Sequence, residues 1–303
     1  MNRSLARRLS ELSAREIADA LGIRSAFARG LVERAFRIPS ARLGRTLARF
    51  DERTAEAGIA SAARETLDMF GARLEIEGSI AKAGGALVVT NHPGAYDALA
   101  VMAALGRDDV AFVAADRTFL RALTNASKHL VFVDERSAIA RVASIRRAIE
   151  VMKHGGVVVQ YGAGSIEPDA RFDSGDVLGE WGAGTGVLAA QAPTVVPVFV
   201  SGVHSPRAKR LAIVRWAERR GTTTVAPLVQ ATVPGFRDVV VSVRIGEPIE
   251  LHEARDAHER TAIIRSAVAR LSGMTRRNRP TSEETEHTPA RSSRARNGAP
   301  SSA

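Results

Sequence analysis

Residues 88–97 read Val-Val-Thr-Asn-His-Pro-Gly-Ala-Tyr-Asp, an apolar run that ends on an imidazole, with a carboxylate five positions further on. The Pro93-Gly94 pair between them marks a sharp turn. Five residues across such a turn are few enough for His92 and Asp97 to meet. A carboxylate bonded to one imidazole nitrogen fixes the tautomer and favours the imidazolium, leaving the other nitrogen to take a proton from a hydroxyl. A plainer use fits the same residues. Asp97 opens an apolar helical stretch, where an aspartate serves as an N-cap. Nothing nearby supplies further metal ligands, so no metal site is expected.

Other candidates carry less. Gly162-Ala163-Gly164-Ser165-Ile166-Glu167 lacks the closing glycine of a serine elbow. Residues 179–185, GEWGAGT, have the glycines of a phosphate loop without its lysine. The remaining histidines are scattered singly, and Trp181 suits either packing or the wall of an apolar channel.

The turn needs elements to hold it. From residue 73 onward, short valine- and isoleucine-rich runs alternate with helical patterns. Strands are expected at 74–78, 86–90, 109–115, 129–135, 157–161, 195–203 and 239–246. Helices are expected at 97–105, after 116, at 137–156, 185–192 and 259–271. Continuous apolar strands between helices predict an α/β fold: a mixed, partly parallel sheet covered by helices. Functional groups in such sheets gather where strands end and helices begin, and His92 and Asp97 lie at one such junction. Residues 1–72 read as an N-terminal helical segment. Ser13 and Glu16 suggest a capping box for a second helix, Gly22 its end, and Pro39 a break before a helical stretch over 41–70. Residues 73–272 form the α/β domain. Residues 273–303 hold almost nothing apolar and are expected to be a disordered basic tail.

Charge and composition narrow the classes. The chain has no cysteine, which excludes disulfides, cysteine-ligated zinc, iron–sulfur clusters and thiol catalysis. The net charge of +10 sits at the ends: 11 arginines against 4 acids in residues 1–50, and 6 against 3 in residues 273–303. Residues 51–272 are neutral, so a nucleic-acid partner is not expected, whereas an anionic membrane surface could meet the basic ends. No run reaches the roughly 18–20 apolar residues that cross a bilayer, and the first 30 residues have no signal-peptide core. The expected location is cytoplasmic, peripheral at the inner membrane face.

Asn91-His92-Pro93-Gly94-Ala95-Tyr96-Asp97 matches the NHxxxxD signature, and the sequence here resembles the glycerolipid acyltransferase family, which includes glycerol-3-phosphate and lysophosphatidic acid acyltransferases. The likeness covers roughly residues 74–250. LEIEG (74–78) precedes the signature, HLVFVDER (129–136) resembles the second block, VVVQYGAGSIEP (157–168) occupies the place of the third, and VVPVFVSGV (195–203) resembles the fourth. The resemblance implies an α/β domain that moves a fatty acyl group from acyl-CoA or acyl carrier protein to a hydroxyl of a lysophospholipid or glycerol-phosphate-type acceptor. In it His92 is the general base, Asp97 orients it, and backbone N–H groups near Gly164 hold the oxyanion. No cofactor is implied beyond the acyl donor.

The third block departs from the family pattern FPEGTR. Tyr161 stands for the aromatic, Gly162 for proline, Ala163 for glutamate, Ser165 for threonine and Ile166 for the arginine assigned to the acceptor's phosphate, while Gly164 is retained. Isoleucine cannot make a charge-assisted bond. Arg117 and Arg136, each following a strand, are the candidate replacements, and a solvated surface arginine fits each equally well. Glu167-Pro168 suits either a remodelled pocket wall or a turn. The substrate-binding candidates are therefore Arg117, Arg136, Tyr161, Gly164, Ser165 and Glu167. Two alternatives stay open: an acceptor without phosphate, such as an amino lipid or a hydroxylated small molecule, and a non-catalytic lipid- or carrier-binding relative.

Overall fold

The computed structural model describes residues 3–20, 25–27, 30, 34, 37–134, 137–172, 176–219, 225–233, 236 and 238–277. Its centre is a seven-stranded sheet: β1 (Arg73–Glu77), β2 (Ala86–Thr90), β3 (Val110–Ala115), β4 (Leu130–Val133), β5 (Val157–Tyr161), β6 (Val195–Ser201) and β7 (Val240–Ile245). The order across the sheet is β1-β7-β6-β2-β5-β3-β4. All neighbours pair parallel except β6 with β7. The C-terminal ends of β2, β3, β4, β5 and β6 therefore share one edge of the sheet, and β7 starts at that edge. The expected mixed, partly parallel sheet is found, and all but one of its pairings are parallel.

Strands β2 and β6 are buried along their whole length because helices cover both faces. Alternate side chains of β2 feed two separate cores. Val88 joins the cluster that includes Leu9, Phe50, Ile59, Leu67 and Val101, from helices α1 (Arg3–Ala20), α2 (Arg37–Ala57), α3 (Ile59–Phe70) and α4 (Asp97–Leu105). Leu87 and Val89 join the second cluster with Ala148, Met152, Leu188, Ile264 and Val268. Those come from α6 (Ala138–Lys153), α7 (Gly184–Ala189) and α11 (Ala257–Arg277). A short helix α5 (Thr118–Ala122) and a 3-10 turn (Ala126–His129) link β3 to β4.

Several boundaries differ from the sequence reading. Helix α1 runs unbroken through Ser13, so no second helix is capped there; Gly22 lies outside the described residues. Pro39 sits in the first turn of α2 instead of breaking it. The missing N–H of a proline costs no helical bond in a first turn, where the donors have no intrahelical partner. The break falls at Gly58, with φ 82°, between α2 and α3. Three short helices were not expected: α8 (Pro206–Lys209), α9 (Ala212–Glu218) and α10 (Val225–Thr232). Helix α11 extends to Arg277, so residues 273–277 are helical and not part of a disordered tail; residues 278–303 lie outside the described residues.

Asp51 pins α2 to the turn before β4. It is buried, and its carboxylate accepts from the backbone N–H groups of Asn125 (2.8 Å) and Ala126 (2.9 Å) and from the Thr124 hydroxyl (3.1 Å). Removing it strands buried donors, each costing about 1–3 kcal/mol. Asp51→Ala is expected to lower the unfolding free energy by about 2–4 kcal/mol, read as a lower urea midpoint at unchanged slope.

Candidate active site

Strand β2 delivers Asn91 and His92 at its C-terminal end. Asn91 is fully buried and its amide makes a reciprocal pair with Val200 on β6: Nδ2 donates to the carbonyl (2.8 Å) and Oδ1 accepts the N–H (2.7 Å). The pair continues the β2–β6 ladder by one side chain and so fixes where His92 leaves the sheet. Gly94 (φ 83°) and Ala95 (φ 52°) then take the left-handed region. That conformation suits glycine and is strained for alanine. It turns the chain so sharply that the Asp97 N–H reaches the Gly94 carbonyl (3.1 Å) and the Asp97 carboxylate faces back toward His92.

His92 Nδ1 lies 2.7 Å from Asp97 Oδ2, which also accepts the Gly94 N–H at 2.8 Å. The Asp97 side chain is 3% exposed and that of His92 28% exposed. Asp97 is the first residue of α4, and Tyr96 holds the N-cap position. The carboxylate thus serves the imidazole and the turn rather than capping the helix. Among the described residues His92 Nε2 has no hydrogen-bond partner, so the exposed part of the ring presents an unengaged nitrogen. Burial pulls the imidazole down, but the hydrogen bond and charge of Asp97, with the charge of Glu167, outweigh it; the ring titrates above its ordinary value.

Tyr161 ends β5 beside this pair. Its ring centroid is 4.1 Å from that of His92, and its hydroxyl donates to Asp97 Oδ1 (3.3 Å). Burial first, and then the Asp97 charge and hydrogen bond, hold the phenol well above its usual range, so it stays a donor. Its hydroxyl is committed to the carboxylate, and the residue positions the pair.

Glu167 was a substrate-binding candidate, and the structure engages it differently. It is 4% exposed. Oε2 accepts the His92 N–H at 2.8 Å, and the Glu167 N–H returns a bond to the His92 carbonyl at 2.7 Å. Oε1 accepts the Gly179 N–H (2.7 Å) and the Trp181 indole N–H (3.0 Å). One buried carboxylate therefore ties the turn after β2, the loop after β5 and the segment at 179–181. Trp181 lies so close over Gly162 that a Cβ there would fall 2.2 Å from the indole ring. The tryptophan packs, and Gly162 is needed for it to do so.

The other candidates are spread along the same edge. Gly164 is in the left-handed region (φ 66°), and its N–H donates to the Tyr161 carbonyl (3.2 Å). That N–H is spent in a turn and is not a free oxyanion donor. Ser165 and Ile166, next along the loop, are exposed, and their N–H groups have no partner among the described residues. Ile166 lies within van der Waals reach of a Cβ at Gly94, so it lines the rim beside His92. Arg117 is exposed and occupies the N-cap position of α5 beyond β3 without a side-chain cap bond, with β5 between it and β2. Arg136 lies outside the described residues. No group of three or more metal-ligating side chains occurs among the described residues.

Sequence reasoning gave no part to Asn91, Gly179 or the Glu167–Trp181 bond. Asn91 belonged to the quoted signature, which was the one available signal. The others pair across 12 and 14 residues with no local pattern.

Residues 73–201 match the family model described as Acyltransferase. The His92–Asp97 turn lies inside the matched segment, and the resemblance drawn from the order of the sequence blocks is borne out over that segment. Among solved structures the chain is similar to the 1-acyl-sn-glycerophosphate (LPA) acyltransferase PlsC from Thermotoga maritima. Identity is 19%, the TM-score is 0.49, and the match covers 90% of this chain and 98% of that one. No curated protein matches.

Two tests follow from this geometry. A base must be neutral, so the acid limb of kcat/KM is expected above the ordinary histidine value of about 6.5. Asp97→Asn should move that limb to lower pH, since burial remains without its main counterweight, and cut the rate by roughly 10²–10⁴-fold. The raised value also carries a stability term, present below the unfolded-state value and lost as pH rises through the folded one. Glu167→Ala strands three buried donors and is expected to cost about 2–4 kcal/mol in chemical denaturation.

Proposed function

We propose that this acyltransferase moves a fatty acyl group from an acyl-CoA or acyl carrier protein thioester to a hydroxyl of a lysophospholipid or glycerol-phosphate-type acceptor. The observation that carries the reading is the His92–Asp97 pair, with Nδ1 held at 2.7 Å and Nε2 left without a partner among the described residues. Nε2 takes the acceptor's hydroxyl proton as the oxygen attacks the thioester carbonyl. The tetrahedral oxyanion then collapses, the carbon–sulfur bond breaks, and the departing thiolate takes the proton back from the imidazolium. Protons and electrons balance with no covalent enzyme intermediate. Asp97, itself steadied by Tyr161 and Gly94, holds the tautomer through the cycle.

The loop after β5 supplies two N–H groups, those of Ser165 and Ile166, as candidates for the oxyanion site. Arg117 is the described cation assigned here to an acceptor phosphate, standing on the edge that carries His92. A second reading, an acceptor with no phosphate beside its hydroxyl, is supported by Ile166, a neutral side chain 40% exposed at the rim. The reading sets the reaction at the cytosolic face of a membrane, where exposed Arg3, Arg7 and Arg8 of α1 suit anionic head groups. Among the described residues, no helix is long and apolar enough to cross a membrane.

The test is a transfer assay with labelled acyl-CoA and acyl carrier protein against lysophosphatidic acid, glycerol 3-phosphate and uncharged hydroxylated or amino lipids. His92→Ala is expected to lower turnover by at least about 10³-fold while the denaturation curve stays in place. Unchanged turnover in that variant refutes the mechanism. Binding of donor or lipid with no transfer to any acceptor marks a non-catalytic relative.

A further inference from the structure

The chain between β6 and β7, residues 202–239, starts and ends at the sheet edge that carries His92, because β6 ends there and β7 begins there. It builds a small core of its own. Val214 and Ala217 of α9 pack on Val225 and Ala226 of α10, with Leu211 and Val229 alongside. Gln230 locks the excursion to the sheet end, accepting the Ser205 N–H (2.8 Å) and donating to the Val203 carbonyl (2.7 Å). Residues one position before the buried pair point about 100° away from it on a helix. Ile213 and Trp216 are therefore held outward, at 50% and 41% exposure.

The surrounding charge is one-sided. Residues 206–219 contain Arg207, Lys209, Arg210, Arg215 and Arg219 against Glu218 alone. Lys209 is paired with Glu218 and Arg207 faces Asp238 at 3.6 Å. Arg210, Arg215 and Arg219 are exposed and have no ion-pair partner among the described residues. A tryptophan and an isoleucine set outward among arginines have the composition of a helix that seats in a lipid head-group layer. The ring and the aliphatic chain enter the acyl boundary while the guanidinium groups meet phosphate.

We propose that α9 and its flanks, residues 206–219, are a docking surface for an anionic bilayer, and that this docking turns the His92 edge of the sheet toward the lipid. The occupant is the bilayer rather than an acidic protein, because the patch pairs its cations with protruding apolar side chains. The proposal is read by vesicle binding, so it stands or falls separately from the acyl-transfer chemistry.

The test is co-sedimentation of the full chain with phosphatidylcholine vesicles, with and without phosphatidylglycerol. A double variant, Ile213→Ser with Trp216→Ser, and a triple variant, Arg210→Gln, Arg215→Gln and Arg219→Gln, are compared with the parent. All five side chains are exposed, and denaturation midpoints check the fold. Each variant is expected to weaken binding to anionic vesicles by at least about tenfold. Added salt should weaken the parent, and Trp216 emission should shift to the blue on binding, a shift lost in Trp216→Phe. Binding within about twofold of the parent in both variants overturns the proposal. So does equal binding to neutral vesicles. Loss of affinity for an acyl carrier protein, or of self-association, with vesicle binding intact, also overturns it and reassigns the patch.

Discussion

The bond between His92 Nδ1 and Asp97 is the constraint on which the site depends. It spans five residues, and an extended chain would carry the two side chains far apart. Two consecutive left-handed residues bring them together, one of them an alanine that adopts the conformation at some cost. The strain persists because its surroundings over-determine it. Asn91 fixes the entry to the turn, Asp97 accepts from its middle, and α4 continues from its exit.

Around that turn the buried groups are arranged so that few polar atoms lack partners. Glu167 and Asp97 are two carboxylates near one imidazole, and both raise its affinity for a proton. They differ in what they hold. Asp97 meets the ring and the tyrosine hydroxyl, whereas Glu167 meets the backbone of His92 and two donors from residues 179–181. The side chain that acts on the ring and the side chain that anchors its backbone are thus distinct.

Legibility in the sequence followed the reach of each signal. Strands β2 and β5 and helix α4 were read to the residue, since an unbroken apolar run bounded by glycine or proline is a local pattern. Ser13 and Pro39 misled because capping and breaking depend on position within the turn, which spacing alone does not reveal. Helices α8, α9 and α10 span four to eight residues, about one to two turns, too few for a period of 3.6 to show.

The site divides in the same way. His92, Asp97 and the chemistry expected of them needed only a short segment, so the sequence by itself determined that pair, the α/β class and the resemblance to acyltransferases. Tertiary structure decided what each neighbour does. Tyr161 could have faced substrate, yet its hydroxyl goes to Asp97. Glu167 could have bound an acceptor, yet burial beside Gly179 and Trp181 engages both its oxygens. The reason is physical: a hydrogen bond between residues distant in sequence exists only once strands from different parts of the chain lie side by side, and parallel pairing of β2 with β5 brought these together.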